Sequence, residues 1–194
     1  MVGIPHLGRE SGEQPHKVTS ITQLFQTQAR NNQRCTMSEE QSPLGDLEQF
    51  AGAWRGEGHG HYPTIDDFNY REEIDFTPTG RPFLIYRSRT WNAETNQPMH
   101  TECGYLRRTP TGTIELLLSQ PTGFTEIHSG LMHDGVLEFH PVRLGRSVES
   151  KPVHEVRRTL VLKGDALTFD MWMAHADTPL THHLHAEYTR TQAA

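Results

Sequence analysis

Two runs concentrate the residue types that do chemistry. One is Gly52-Ala53-Trp54-Arg55-Gly56-Glu57-Gly58-His59-Gly60-His61-Tyr62-Pro63. Its glycines at 52, 56, 58 and 60 share one parity, so a strand presents them on one face. A face without side chains lets a neighbouring strand, a crossing helix or a flat ligand approach the backbone. Trp54 has the same parity and would cap the strip. No Gly-Lys-Ser/Thr follows and no strand–helix unit surrounds the run, so it is not a phosphate loop. His59 and His61 take the opposite face. Two imidazoles at i, i+2 can ligate a metal, but no nearby carboxylate or Cys completes a set, and solvated surface positions are expected.

The other run is Thr181-His182-His183-Leu184-His185-Ala186-Glu187-Tyr188. Parity groups His182 with Leu184, Ala186 and Tyr188, the more apolar face. It groups His183 with Thr181, His185 and Glu187. On parity alone His182 is the inward residue. A neutral imidazole is the usual nitrogen ligand of haem iron, and one is enough because the porphyrin supplies the other four nitrogens. A glycine-lined wall with one inward His is therefore compatible with a haem pocket, and equally with a barrel that takes a fatty acid. Other chemistries find little support. No Gly-x-Ser-x-Gly elbow occurs and no carboxylate pair stands out for glycosidase work. Cys103, near Arg107 and Arg108, reads as a small packing residue on a strand.

These runs need strands to position them. From residue 44 onward, alternation and turn signals give ten candidate strands, near 53–60, 69–77, 82–92, 100–108, 113–119, 123–131, 135–142, 153–162, 167–174 and 180–190. Thr77-Pro78-Thr79-Gly80, Thr109-Pro110-Thr111-Gly112 and His133-Asp134-Gly135 are among the turns between them. Connections this short make neighbours antiparallel and exclude parallel α/β folds. The expected fold is all-β: an antiparallel up-and-down barrel of ten strands, whose closure removes free edges and leaves an internal cavity. A flattened sandwich with a filled core is the alternative. Asp46 is expected to cap a short helix through Leu47 and Phe50. Pro63–Phe68 is expected to form one helical turn over a barrel mouth, with Thr64 as its N-cap and Asp67 at N3.

Residues 1–43 read as a separate, polar N-terminal tail, expected to be disordered, ahead of a domain over 44–194. Within the tail, Ser20–Arg30 carries a weak helical spacing, and Met37 opens a stretch that resembles a natural protein start. The 194 residues carry 18 Lys+Arg against 24 Asp+Glu. That net charge of -6, with no basic stripe, argues against a nucleic-acid partner. No apolar run approaches the ~18 residues of a membrane span, and the first residues lack the pattern of a secretory signal. Two cysteines, Cys35 and Cys103, fit a reducing cytoplasm. Histidine is the unusual count, at 13.

Four ordered motifs carry a family resemblance. Gly52-Ala53-Trp54-Arg55-Gly56-Glu57-Gly58, continuing to Tyr62-Pro63-Thr64-Ile65, resembles the Gly-x-Trp-x-Gly-x-Gly signature of the nitrobindins. Phe68-Asn69-Tyr70-Arg71-Glu72-Glu73, His100-Thr101-Glu102-Cys103-Gly104-Tyr105-Leu106-Arg107 and His183-Leu184-His185-Ala186 continue the match across residues 44–190. The resemblance implies a fatty-acid-binding or lipocalin type barrel that holds one haem b per subunit. It implies His183, not His182, as the axial iron ligand; a bulge near Thr181 would reconcile this with parity. It implies a haem contact from Thr64 and a propionate contact from Lys151. The implied activity is isomerisation of peroxynitrite to nitrate at ferric haem, with nitric oxide as a further ligand. The subunit would be a monomer or homodimer. A non-enzymatic sensor or haem carrier, or an apo barrel for a fatty acid-like ligand, uses the same residues.

Overall fold

The structure is a computed structural model and describes residues 42–191. The expected tail, the helix over Ser20–Arg30, the start at Met37 and Cys35 lie outside the described residues. Ten strands follow one another: β1 (Gly52–Tyr62), β2 (Ile65–Pro78), β3 (Phe83–Asn92), β4 (Pro98–Arg108), β5 (Ile114–Gln120), β6 (Phe124–His133), β7 (Val136–Arg146), β8 (Val153–Lys163), β9 (Ala166–His175) and β10 (Thr178–Thr191). Each pairs antiparallel with its chain neighbours, and β10 pairs with β1 to close the barrel. The sandwich alternative is therefore replaced by a closed barrel. Period-2 patterning is the cause: along β2, Tyr70, Glu72, Ile74 and Phe76 point inward between more exposed residues. At the β6–β7 turn, Asp134 and Gly135 both take positive φ, 50° and 78°, which matches the twist of the flanking strands.

The two ends differ. A 3-10 helix, Gly45–Phe50, closes one end by burying Leu47 and Phe50 beside Trp54. The Trp54 indole N–H donates to the Phe50 carbonyl at 2.8 Å. Asp46 does not cap this helix: the N-cap is Leu44, without a side-chain bond, and the Asp46 carboxylate instead accepts from Arg108 at 2.8 Å. The other end is the mouth, where the turns after β1, β3, β5, β7 and β9 gather. The helical turn expected over Pro63–Phe68 is not there. Pro63 and Thr64 form a tight turn, and the β1–β2 ladder resumes at Tyr62 opposite Ile65. Ladder pairing outweighs the local capping preference, and Asp67 is left in β2 beside His61. Cys103 is exposed on β4 instead of packed, because its parity is opposite to that of buried Glu102.

β7 and β8 are hydrogen-bonded only from Val136–Phe139 to Arg158–Val161. Above that point they diverge toward the mouth, and the loop between them carries Lys151. Among the described residues no helix is long and apolar enough to cross a membrane.

Candidate functional site

The glycine strip explains how the mouth is shaped. Trp54, Gly56, Gly58, Gly60 and Tyr62 face inward, as parity requires, and Gly52 opens the strand at φ 121°. The strip is filled by aromatic rings of the adjoining strands. A Cβ at Gly58 would stand 2.2 Å from the Tyr70 ring, and one at Gly60 would stand 2.1 Å from the Phe68 ring. At Gly56 it would meet the Glu187 carbonyl and the Tyr188 ring. The missing side chains thus let Phe68 and Tyr70 lie flat on β1 and leave the barrel centre open.

A cavity of about 360 Å³ occupies that centre. Near the mouth it is lined by Phe68, His100, Val153, Met173, His183 and Leu184. His183 reaches it through a bulge. His182 pairs with Trp172 and Leu184 with Met171, so His183 is the extra residue between them. The bulge turns His183 and Leu184 to the same interior and leaves His182 outside, where its Nε2 is 2.8 Å from Asp170. Parity alone therefore chose the wrong histidine. A second irregularity lies between Thr178 and Thr181, but the shift that redirects the histidine falls at His183 itself.

His183 is half-buried against Tyr62 and Phe68, with ring centroids at 5.0 and 6.3 Å. Its Nδ1 lies 3.0 Å from the His61 carbonyl oxygen, an acceptor, so Nδ1 carries the hydrogen and Nε2 keeps its lone pair. Burial pushes its pKa down; the bond to His61 opposes this, while His182, His61 and Lys151 add to it. The neutral, ligating form is favoured. Lys151 lines the cavity from the β7–β8 loop. Thr64 is exposed in the turn at the same end and does not line the cavity. A lone imidazole nitrogen, an apolar wall and a cation at the mouth fit a flat, apolar, iron-bearing group with carboxylate arms.

Below the mouth a belt of polar side chains crosses the barrel. Arg158 on β8 donates to Glu102 on β4 at 2.7 and 3.0 Å, and to Glu126 on β6 at 2.8 and 3.0 Å. His128 Nε2 sits 2.5 Å from Glu126. Burial would raise the Glu102 pKa, but the Arg158 charge and the hydrogen bonds to its carboxylate outweigh it and bring the pKa to about 2. Glu72 on β2 accepts from Ser88 and Tyr188. Its burial outweighs those bonds and lifts its pKa to about 7. The sequence reading passed over this belt. The available signal was a charged residue in an inward register: Arg158 between Val156 and Leu160, and Glu72 between Tyr70 and Ile74.

His59 and His61 are outward, as expected, but a carboxylate does accompany them. His61 Nδ1 is 2.5 Å from Asp67, and His59 Nε2 is 3.8 Å from it. Among the described residues no three His, Cys, Asp or Glu side chains are grouped to hold a metal ion.

Residues 43–190 match the sequence model of a family described as the THAP4-like, heme-binding beta-barrel domain. The chain is 57% identical over 144 residues to a protein named peroxynitrite isomerase 1 from Rhodococcus jostii (strain RHA1), covering 74% of this chain and 82% of that one. It is 47% identical over 151 residues to a peroxynitrite isomerase from Nocardia farcinica (strain IFM 10152), covering 76% and 90%. The crystal structure of Rv2717c from M. tuberculosis superposes with a TM-score of 0.72 at 35% identity, covering 77% of this chain and 98% of that one.

Proposed function

The chain belongs to the nitrobindin family of THAP4-like haem-binding β-barrels, and from that premise we propose that it holds one haem b at the barrel mouth through His183 and isomerises peroxynitrite to nitrate. The observation that carries the reading is the free Nε2 of His183, turned into an apolar cavity by a bulge and fixed by the His61 carbonyl. Ferric haem, when bound, supplies a Lewis-acidic iron that polarises the O–O bond of peroxynitrite.

The protein's own residues do the rest. His183 would hold the iron through its Nε2. Tyr62 and Phe68 pack edge-on with its ring. Lys151 offers a cation to a propionate, and Thr64 lies at the same rim for a polar contact. Phe68, Met173 and Leu184 give the flat group an apolar wall at the mouth. Nitric oxide, small and neutral, enters the same pocket. A cytoplasmic setting agrees with an exposed free Cys103.

The belt bears on the fatty-acid alternative. An interior Arg could bind a carboxylate head group, but Arg158 is already held by Glu102 and Glu126, with Glu72 also lining the cavity. A carboxylate arriving there meets anions with no free cation in the belt.

The test is a hemin titration followed in the Soret region on wild type, His183→Ala and His182→Ala. The expected result is saturable uptake that is lost in His183→Ala and kept in His182→Ala. Loss confined to His182→Ala would reject the ligand assignment, and no uptake by wild type would reject the haem reading. Stopped-flow decay of peroxynitrite, with nitrate quantified, then separates turnover from ligand binding alone.

A further inference from the structure

His100 of β4 neither holds the proposed haem nor belongs to the Arg158 belt, but it touches both regions. His100 lines the cavity near the mouth. Its Nε2 is 3.4 Å from Oε1 of Glu102. Glu102 is pinned in turn by two bonds from Arg158, at 2.7 and 3.0 Å, and by one from Gln120 at 3.2 Å. Arg158 keeps that carboxylate ionised, so it can only accept. Nε2 of His100 is the ring nitrogen that faces this acceptor, and in the tautomer with its hydrogen there Nδ1 keeps a lone pair, with no hydrogen-bond partner among the described residues. Around the closed barrel, β4 lies four strand steps from β10 through β1, β2 and β3, and six steps the other way. His100 and His183 thus enter one cavity from nearly opposite walls.

We propose that His100 is the proton-accepting residue of this site, taking through Nδ1 the proton of a weak-acid ligand that arrives opposite His183. The inference rests on the haem reading. A histidine backed by a buried carboxylate is oriented by it and stabilised as an imidazolium. For the proposed substrate the balance is simple. Peroxynitrous acid gives its proton to Nδ1 and becomes the anion. The anion rearranges to nitrate without gaining or losing a proton. The imidazolium returns the proton to water at the mouth, where the side chain is 34% exposed. Both protonation states of the substrate are thereby used as the same anion.

The test uses the full chain loaded with hemin, as wild type, His100→Leu and His100→Gln. Soret uptake is recorded first. Cyanide association with the ferric protein is then followed at neutral pH, where it arrives as hydrogen cyanide and must shed a proton. Nitric oxide, which has none to shed, is the control. Cyanide association is expected to slow by about 100-fold or more in both variants, with nitric oxide association unchanged. Equal cyanide rates in all three proteins overturn the proposal. So does equal slowing of both ligands, which would mean altered access only. A wild-type spectrum of two axial histidines that reverts to one on substitution also overturns it, because His100 would then be an iron ligand. Absence of Soret uptake by wild type removes the haem reading and this inference with it; normal uptake without a cyanide effect removes this inference alone.

Discussion

The Nδ1 atom of His183 stands 3.0 Å from the carbonyl oxygen of His61, across the β1–β10 seam. One hydrogen bond thus sets the tautomer of the proposed ligand, and it exists only because the bulge brings His183 round to the interior. Deleting His182 would restore a regular ladder, with His183 opposite Trp172 and facing out. The expected outcome is loss of hemin uptake with the strand signal of circular dichroism retained, although a histidine still precedes Leu184. Retained uptake would show that the bulge is not what aims the ligand.

Glu72 makes stability fall as pH rises. Its folded pKa, about 7, lies above the ordinary carboxylate value of 4.5. Its contribution is therefore fully present below about 4.5 and is lost as pH rises through about 7. Glu72→Gln removes this dependence. Compared with wild type in urea unfolding, the variant is expected to gain up to about 3 kcal/mol between pH 5 and 8.5. A constant difference across that range would contradict the assignment.

Gly60 and Gly58 make room for rings that shape the mouth. Gly60→Ala would drive a Cβ to 2.1 Å from the Phe68 ring, which packs on His183. The expected cost is about 1–3 kcal/mol, with weaker hemin binding. Gly58→Ala acts on Tyr70, one layer deeper, and should cost similar stability with a smaller effect on hemin. Thermal melts and titrations of the two variants check the contrast.

Arg158 neutralises two buried carboxylates, so its removal leaves both uncompensated. Arg158→Met is expected to cost about 3–5 kcal/mol. Adding Glu102→Gln and Glu126→Gln should recover part of that loss, since the orphaned charges are then gone. Denaturant midpoints of the single and triple variants decide this; a triple variant less stable than the single would refute the argument.

Much of this architecture was legible in the chain. Residue alternation and turn chemistry gave ten strands, short antiparallel links and an inward glycine face, because period-2 patterning is a local property. Those are the β1–β10 strands of the structure, with the glycines of β1 facing inward. The motifs also marked His183, while His100 and Glu102 stood in a family segment with no role attached to either. Two short-range readings failed where a longer-range contact competed. Asp46 left the helix for Arg108, and Thr64 with Asp67 yielded to the β1–β2 ladder.

The choice between His182 and His183 was not local. It depends on where the ladder with β9 skips a residue, which the partner strand decides as much as β10 does. The belt is non-local in the same sense. Glu72, Glu102, Glu126 and Arg158 lie on four strands and are scattered in the chain until closure brings them into one buried layer. Patterning along each strand sufficed to make the barrel. Only pairing between strands could aim a histidine into it and set charged groups against one another inside, because a side chain's partners across a barrel belong to the ladder and not to its sequence neighbours.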